Sequence, residues 1–337
     1  MQIRDAFDRP LRDLRISVMD QCNLRCIYCM PKEVFGANFP FLPPDKLLTF
    51  IEIERLVKIF ASIGIEKIRL TGGEPLLRKD ITSLIKKIAK IEGIRDISLT
   101  TNGILLGHYA EQLKNAGLKR VNVSLDSLNQ AYYGKMNGKN FPVKRVLHSI
   151  EQAAQVGLQI KINMVVQKGV NEEDIASLAK YCFEKHYILR FIEFMDVGNT
   201  NGWRMDQVLP SREILNTLRN IMPLEPVNPN YSGEVAKRYR YVGTDKEIGF
   251  ISSITEAFCS TCNRARLSAD GKLFTCLFAT KGTDLKKMLR NQKKSDEDIK
   301  AFLNNIWNNR SDRYSEQRRE LRKQPTRNKI EMSYIGG

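Results

Sequence analysis

The segment Arg12-Asp-Leu-Arg-Ile-Ser-Val-Met-Asp-Gln-Cys22-Asn-Leu-Arg-Cys26-Ile-Tyr-Cys29 joins a strand-like run at 14–18 to three cysteines in close succession. Leu14, Ile16 and Val18 alternate with Arg15 and Ser17, so an extended chain here has one apolar and one polar face. Similar runs follow at 67–71, 97–100, 121–125, 159–165 and 188–194. Helix-patterned segments separate them at 50–63, opened by the capping box Thr49-Phe-Ile-Glu52, and at 80–90, 109–116, 142–156 and 172–185. The alternation predicts βα units around a parallel sheet, and six of them make three-quarters of an eight-stranded barrel.

Strands buried on both faces read as continuous apolar runs, and these do not. One parity set, including Ile68, Leu70, Leu99, Val123 and Ile162, is apolar and should pack on the helices. The other holds Arg15, Ser17, Lys67, Arg69, Thr71, Ser98, Thr100, Asn102, Asn122, Ser124, Asp126, Lys161 and Asn163. A barrel lined this way holds water or a charged ligand; an antiparallel sheet with one wet face is the alternative. In the sixth run Arg190 and Met195 have opposite parity, so sharing a face requires a bulge or a strand end.

The 337 residues suit one large barrel or two domains, and 42% hydrophobic with 27% charged residues excludes a disordered chain. The charged amino terminus lacks the apolar core of a signal peptide, and no apolar stretch reaches the roughly 20 residues of a membrane span. With 54 Lys and Arg against 38 Asp and Glu, the net charge of +16 attracts polyanions. Part of the excess, Arg310, Arg313, Arg318, Arg319, Arg322, Lys323, Arg327 and Lys329, reads as a solvated helix or tail. Seven cysteines, an odd number, in closely spaced groups and without an export signal indicate reduced thiols in the cytoplasm.

From about 200 onward prolines interrupt the rhythm, and a boundary loop at 228–234 divides the expected domains 1–227 and 228–337. The second unit carries Cys259-Ser-Thr-Cys262, then Cys276, with a hairpin turn at Ala269-Asp-Gly-Lys272. Each cysteine group is a set of three without a neighbouring histidine. Three thiolates suit a [4Fe–4S] cube with one open iron, whereas structural zinc wants four ligands. The seventh cysteine, Cys182, sits in a helical pattern and reads as a core thiol. Arg264 and Arg266, two apart, form a candidate phosphate clamp. The turn Thr71-Gly-Gly-Glu-Pro75 at a strand's end allows close backbone approach to a ligand.

Together the CxxxCxxC loop, the Gly-Gly-Glu-Pro turn and the six βα units resemble the radical S-adenosylmethionine (SAM) superfamily. Within it, Arg12-Asp-Leu-Arg-Ile-Ser-Val18, Cys29-Met-Pro31, Thr100-Thr-Asn-Gly103, Asn122-Val-Ser-Leu-Asp126, Arg190-Phe-Ile-Glu-Phe-Met195, the segment 258–267 and the terminal Tyr334-Ile-Gly-Gly337 resemble the GTP 3′,8-cyclase family nearly end to end. The resemblance implies an α/β fold, a partial (β/α)6 radical SAM barrel with a smaller C-terminal iron–sulfur domain. It also implies a lyase opening molybdenum cofactor biosynthesis, in which a 5′-deoxyadenosyl radical takes H3′ from GTP and C3′ attacks guanine C8.

Carried over residue by residue, Cys22, Cys26 and Cys29 would hold the SAM [4Fe–4S] cluster and Cys259, Cys262 and Cys276 a second one. Tyr28, Gly73, Ser124 and Met195 would contact SAM. Arg15, Arg69, Thr100, Lys161, Arg264 and Arg266 would contact GTP, with Arg15, Arg264 and Arg266 in the catalytic set. The resemblance further implies passage of the product to cyclic pyranopterin monophosphate synthase, an electron donor, compatibility with a homodimer, and neither membrane nor nucleic acid as partner. The terminal glycines would enter the barrel mouth.

Overall fold

The computed structural model describes residues 2–321 and 328–337, without the side chain of Arg319. Its elements are β1 (Asp13–Ser17), α1 (Phe50–Ser62), β2 (Lys67–Thr71), α2 (Ile81–Ile88), β3 (Asp96–Thr101), α3 (Leu106–Asn115), β4 (Arg120–Ser124), α4 (Gln130–Asn137), α5 (Val143–Gln155), β5 (Gln159–Val166), α6 (Ile175–Glu184), β6 (Ile188–Glu193), α7 (Ser211–Arg219), β7 (Leu224–Val227), β8 (Lys237–Tyr241), β9 (Glu247–Ile251), β10 (Arg264–Leu267), β11 (Lys272–Phe274), β12 (Thr283–Asp284), α8 (Leu285–Arg290), α9 (Asp296–Asn308), α10 (Tyr314–Leu321) and α11 (Met332–Ile335). All six expected strands form, within a residue of their expected ends, and β1 to β6 pair in parallel, which rules out the antiparallel alternative. The capping box is present: the Thr49 side chain accepts from the Glu52 N–H, and the Glu52 carboxylate accepts from the Thr49 N–H.

The parity division holds. Leu14, Ile16, Ile68, Leu70, Leu99, Val121, Val123 and Ile162 are fully buried in one core with residues such as Leu56, Phe60, Ile85, Leu113, Val146 and Leu178 from the helices. Burying each large aliphatic side chain contributes about 1.5–3 kcal/mol. β6 ends at Glu193, so Met195 lies beyond the strand, and a strand end reconciles it with Arg190.

Tertiary structure adds what local pattern does not show. Among the described residues the sheet runs β12-β11-β10-β1-β2-β3-β4-β5-β6-β9-β8-β7, so later strands extend both edges of the barrel. β10 lies parallel to β1, and β11 turns back on β10 as the expected hairpin. No helix among the described residues is long and apolar enough to cross a membrane.

The basic segment requires a correction. Arg310 and Arg318 are buried rather than solvated, with side chains 2% and 8% exposed. Arg318 and Lys329 both pair with Asp196, each at 3.0 Å. Arg313 is partly exposed and pairs with Glu316; Arg322, Lys323, Arg327 and the Arg319 side chain lie outside the described residues. A run of cations on paper does not reveal which of them meet a buried carboxylate.

Candidate functional site

In the parallel register Arg266 on β10, Arg15 on β1 and Arg69 on β2 stand side by side, with Ser98 next in the row. Adjacent strands are only about 4.8 Å apart, so this row places three like charges abreast on the inner face. With Arg264 and Arg190 they line one large cavity, and among the described residues none of these five forms an ion pair. Burial, then the neighbouring Arg69, Arg266 and Arg264, holds the Arg15 pKa well below the usual guanidinium range. Burial and Arg264 bring Arg266 down to about 10. The buried Nε of Arg15, Arg69 and Arg190 and the Thr100 hydroxyl have no partner among the described residues. A site that strains to stay charged and leaves donors unpaired is built for an anion.

The same cavity is lined by Tyr28, Thr100, Ser124, Met195, Cys259, Cys262 and Cys276, so most of the expected site residues converge there. Lys161 does not line it. It lines a separate cavity with Gln159, His186, Tyr187 and Ile188, and burial followed by Arg190 pushes its ammonium down to about 7. Gly73 is also absent from the lining: a Cβ there would overlap the Gln21 carbonyl. The Gly73 N–H donates to Met19 O at 2.8 Å and that of Glu74 to Gln21 O at 2.8 Å, so the close approach made by this turn is to the cysteine loop itself.

That loop is braced from two other sides. Asn129 caps α4, accepting from Ala131 N–H at 2.8 Å, and the helix end binds the loop, with Arg25 N–H donating to Asn137 O and Ile27 N–H to Met136 O. Gly138, at φ +67°, follows, and any Cβ there would overlap the Arg25 carbonyl. Glu74 accepts from Thr101 Oγ1 at 2.7 Å and Asn102 N–H at 2.8 Å, while burial raises its pKa to about 7. Cys26 and Cys29 pack with Tyr28, Met136 and Phe194. Burial, and for Cys22 also Glu74, raises these thiols, Cys22 to about 11. Three half-buried thiols of one loop, with no histidine among them, form a donor set suited to a cationic iron–sulfur core that favours thiolate.

The second group differs. Burial would raise Cys262, but Arg264 and Arg310 outweigh it and bring the thiol down to about 6; burial pushes Cys276 up to about 12. Arg264 Nη2 and Arg310 Nη2 each lie 3.3 Å from Cys262 Sγ. This set also fits the group, being all-thiol, partly exposed and flanked by cations. Cys182 is buried in α6, as expected of a core thiol. Among the described residues no three Cys, His, Asp or Glu side chains converge at the spacing of a single metal ion.

Sequence reasoning underweighted Arg190 and Asp126, both cavity-lining. Asp126 accepts from the Tyr28 hydroxyl at 3.0 Å and the Val165 N–H at 2.9 Å, and burial raises it to about 6. The available signal was, for Asp126, its place in the polar parity set; Arg190 was obscured by its parity conflict with Met195, which the end of β6 at Glu193 removes. The carboxyl terminus reaches the cavity as expected: Gly337 lines it, and Arg266 donates to the Gly336 carbonyl.

Comparisons with known proteins agree with this geometry. Residues 16–182 match the Radical SAM superfamily, and residues 187–316 match Molybdenum Cofactor Synthesis C. A protein of Staphylococcus aureus strain Mu3 named GTP 3′,8-cyclase is 48% identical over 338 residues, covering 100% of this chain and 99% of that protein, and its counterpart in strain JH9 matches to the same extent. In fold, the chain is similar to Streptococcus suis SuiB bound to S-adenosylmethionine, with a TM-score of 0.62 at 16% identity over 93% of this chain and 69% of that one. Identity of this order along the whole of both sequences settles membership: this chain belongs to the GTP 3′,8-cyclase family of radical SAM enzymes.

Proposed function

We propose that this chain converts GTP to (8S)-3′,8-cyclo-7,8-dihydroguanosine 5′-triphosphate, the first step of molybdenum cofactor biosynthesis. The observation that carries this reading is the cluster of guanidiniums without carboxylate partners among the described residues, three of them with an unpartnered Nε, in a cavity that also touches both cysteine-bearing segments. As a radical SAM protein it uses a [4Fe–4S] cluster and SAM, which when bound supply one-electron cleavage and a radical able to remove hydrogen from carbon.

The residues themselves bind, orient and exclude water. Cys22, Cys26 and Cys29 would hold the cluster, Tyr28, Ser124 and Met195 would seat SAM, and Gly73 lets the turn that supports the SAM site close on the cysteine loop. Arg15, Arg69, Arg264 and Arg266 take the triphosphate, joined by Thr100; Lys161, on the same inner face but beside the second cavity, adds positive charge to that end of the barrel. Phe194, Phe258, Leu277, Phe278 and Met332 give the cavity apolar walls that keep water from the reacting carbon. Cys259, Cys262 and Cys276 would hold a second cluster on the substrate side of the cavity. On this reading residues 1–227 generate the radical and 228–337 hold substrate. The enzyme works in the cytoplasm, where thiols stay reduced, as a chain compatible with homodimerisation, and a cyclic pyranopterin monophosphate synthase consumes its product.

The test is anaerobic turnover with SAM, a reductant and GTP deuterated at C3′. Deuterium is expected in 5′-deoxyadenosine; GTP-independent SAM cleavage with no label transfer would overturn the reading. Arg266→Ala is expected to weaken GTP binding by about ten- to a hundredfold, because a charge-assisted bond contributes about 1.5–3 kcal/mol, while SAM affinity stays unchanged. Normal GTP affinity by calorimetry would remove Arg266 from the clamp.

A further inference from the structure

The amino-terminal segment ahead of β1 carries a buried pair, Asp5 and Arg9, that none of the chemistry above uses. Asp5 Oδ2 lies 2.6 Å from Arg9 Nε and 3.0 Å from Arg310 Nη1, and all three side chains are at most 2% exposed. One carboxylate thus bridges two guanidiniums 301 positions apart in sequence, Arg9 and Arg310. Burying such a group is costly unless its remaining donors are satisfied; Arg9 Nη2 has no partner among the described residues, but the other donors meet specific acceptors.

Arg9 Nη1 donates to the Cys259 carbonyl at 2.7 Å. Arg310 Nη1 donates to the Cys262 carbonyl at 2.8 Å, its Nε to the carbonyl of Thr275, the residue before Cys276, at 3.2 Å, and its Nη2 to Cys262 Sγ at 3.3 Å. Backbone at or beside each cysteine of the second group is therefore held by this pair. Trp307 completes the arrangement: its indole N–H donates to the Arg9 carbonyl at 3.0 Å, and the Arg310 guanidinium stacks 4.5 Å from its ring. All three guanidinium nitrogens of Arg310 point at different acceptors, a fork that lysine cannot reproduce.

We propose that Arg310, bridged through Asp5 to Arg9, is the positioning residue of the second cysteine group: it sets the spacing of Cys259, Cys262 and Cys276 for an iron–sulfur cluster and favours the reduced cluster by donating to a ligand sulfur. This rests on the reading that the second group holds a cluster. Hydrogen bonds to a cluster's sulfurs stabilise its more negative, reduced state, and groups that orient ligands are worth about 10–100-fold in metal retention. The device ties the amino terminus to the substrate end of the molecule, and no local sequence pattern connects residues 5, 9 and 310.

The test compares the intact chain with Arg310→Lys and Arg9→Lys after anaerobic reconstitution. Iron per chain, release to a chelator and the midpoint potential are measured, the potential in a background carrying Cys22→Ser, Cys26→Ser and Cys29→Ser. With two clusters, the unmodified chain holds about eight irons. Arg310→Lys is expected to release the second cluster about tenfold or more faster and to lower its potential; Arg9→Lys, which does not touch sulfur, should speed release without moving the potential. An unmodified chain with only about four irons would overturn the two-cluster reading and this proposal with it. Eight irons together with unchanged release and potential in Arg310→Lys would overturn the proposal alone. If Arg310→Lys fails to fold, unchanged release in Arg9→Lys overturns it.

Discussion

Cys26→Ser is expected to abolish SAM cleavage with or without GTP, whereas Cys262→Ser should keep uncoupled cleavage and make no cyclised product. The asymmetry follows from position. Cys26 lies in the loop braced by Gly73, Glu74 and the end of α4, packed against Tyr28 and Phe194. On the proposed reading, losing one of three thiolates there would leave an iron without its ligand where the radical is made. Cys262 lies across the cavity among Arg264, Arg310 and Phe258, on the side assigned to substrate. Its loss misplaces GTP but leaves the SAM loop intact. The measurement is 5′-deoxyadenosine and cyclised product per enzyme, with iron analysis establishing that each variant keeps its other cluster. Complete loss of cleavage in both variants would contradict the division of roles.

Gly336→Val should leave SAM cleavage nearly unchanged and cut cyclised product per SAM consumed by about a hundredfold, the scale associated with a misplacement of about 1 Å at a reacting centre. Gly336 adopts φ +77° and ψ 127°, a backbone region essentially closed to residues with a Cβ. A Cβ at this position would also overlap the Thr71 hydroxyl. The substitution therefore expels the last two residues and strips Arg266 of the carbonyl it binds. Arg266, relieved of that partner, no longer stands where the nucleotide needs it. Deleting both glycines should have the same effect. Wild-type coupling in either protein would show that the tail has no part in orienting substrate.

Much of this site was legible from residue spacing. The polar parity set named Arg15, Arg69, Thr100, Ser124 and Asp126 before any neighbour was known, because a strand's side chains alternate by geometry alone. Both cysteine groups are contiguous or nearly so, and the hairpin at 269–272 follows from its turn residues. Lys161 shows the limit of parity: it has the right face but sits at the other end of its strand, beside a different cavity. Gly73 shows another, since a glycine announces close approach without saying to what, and here the partner is the backbone at Gln21.

The sequence by itself therefore determined the six βα units, the hairpin at 269–272, most of the inward faces and the two thiol sets, since each depends on interactions within a few residues along the chain. Only the tertiary structure decided that β10 would lie beside β1 and place Arg266 abreast of Arg15 and Arg69, that Arg310 would be buried on Cys262, and that the carboxyl terminus would reach the Arg266 guanidinium. These contacts join segments far apart in the chain, 48 residues for Arg310 and Cys262, 70 for Arg266 and Gly336, and most of the chain's length for β1 and β10. They are selected by the burial of whole faces and the pairing of buried charge, which leave no periodic trace in the chain.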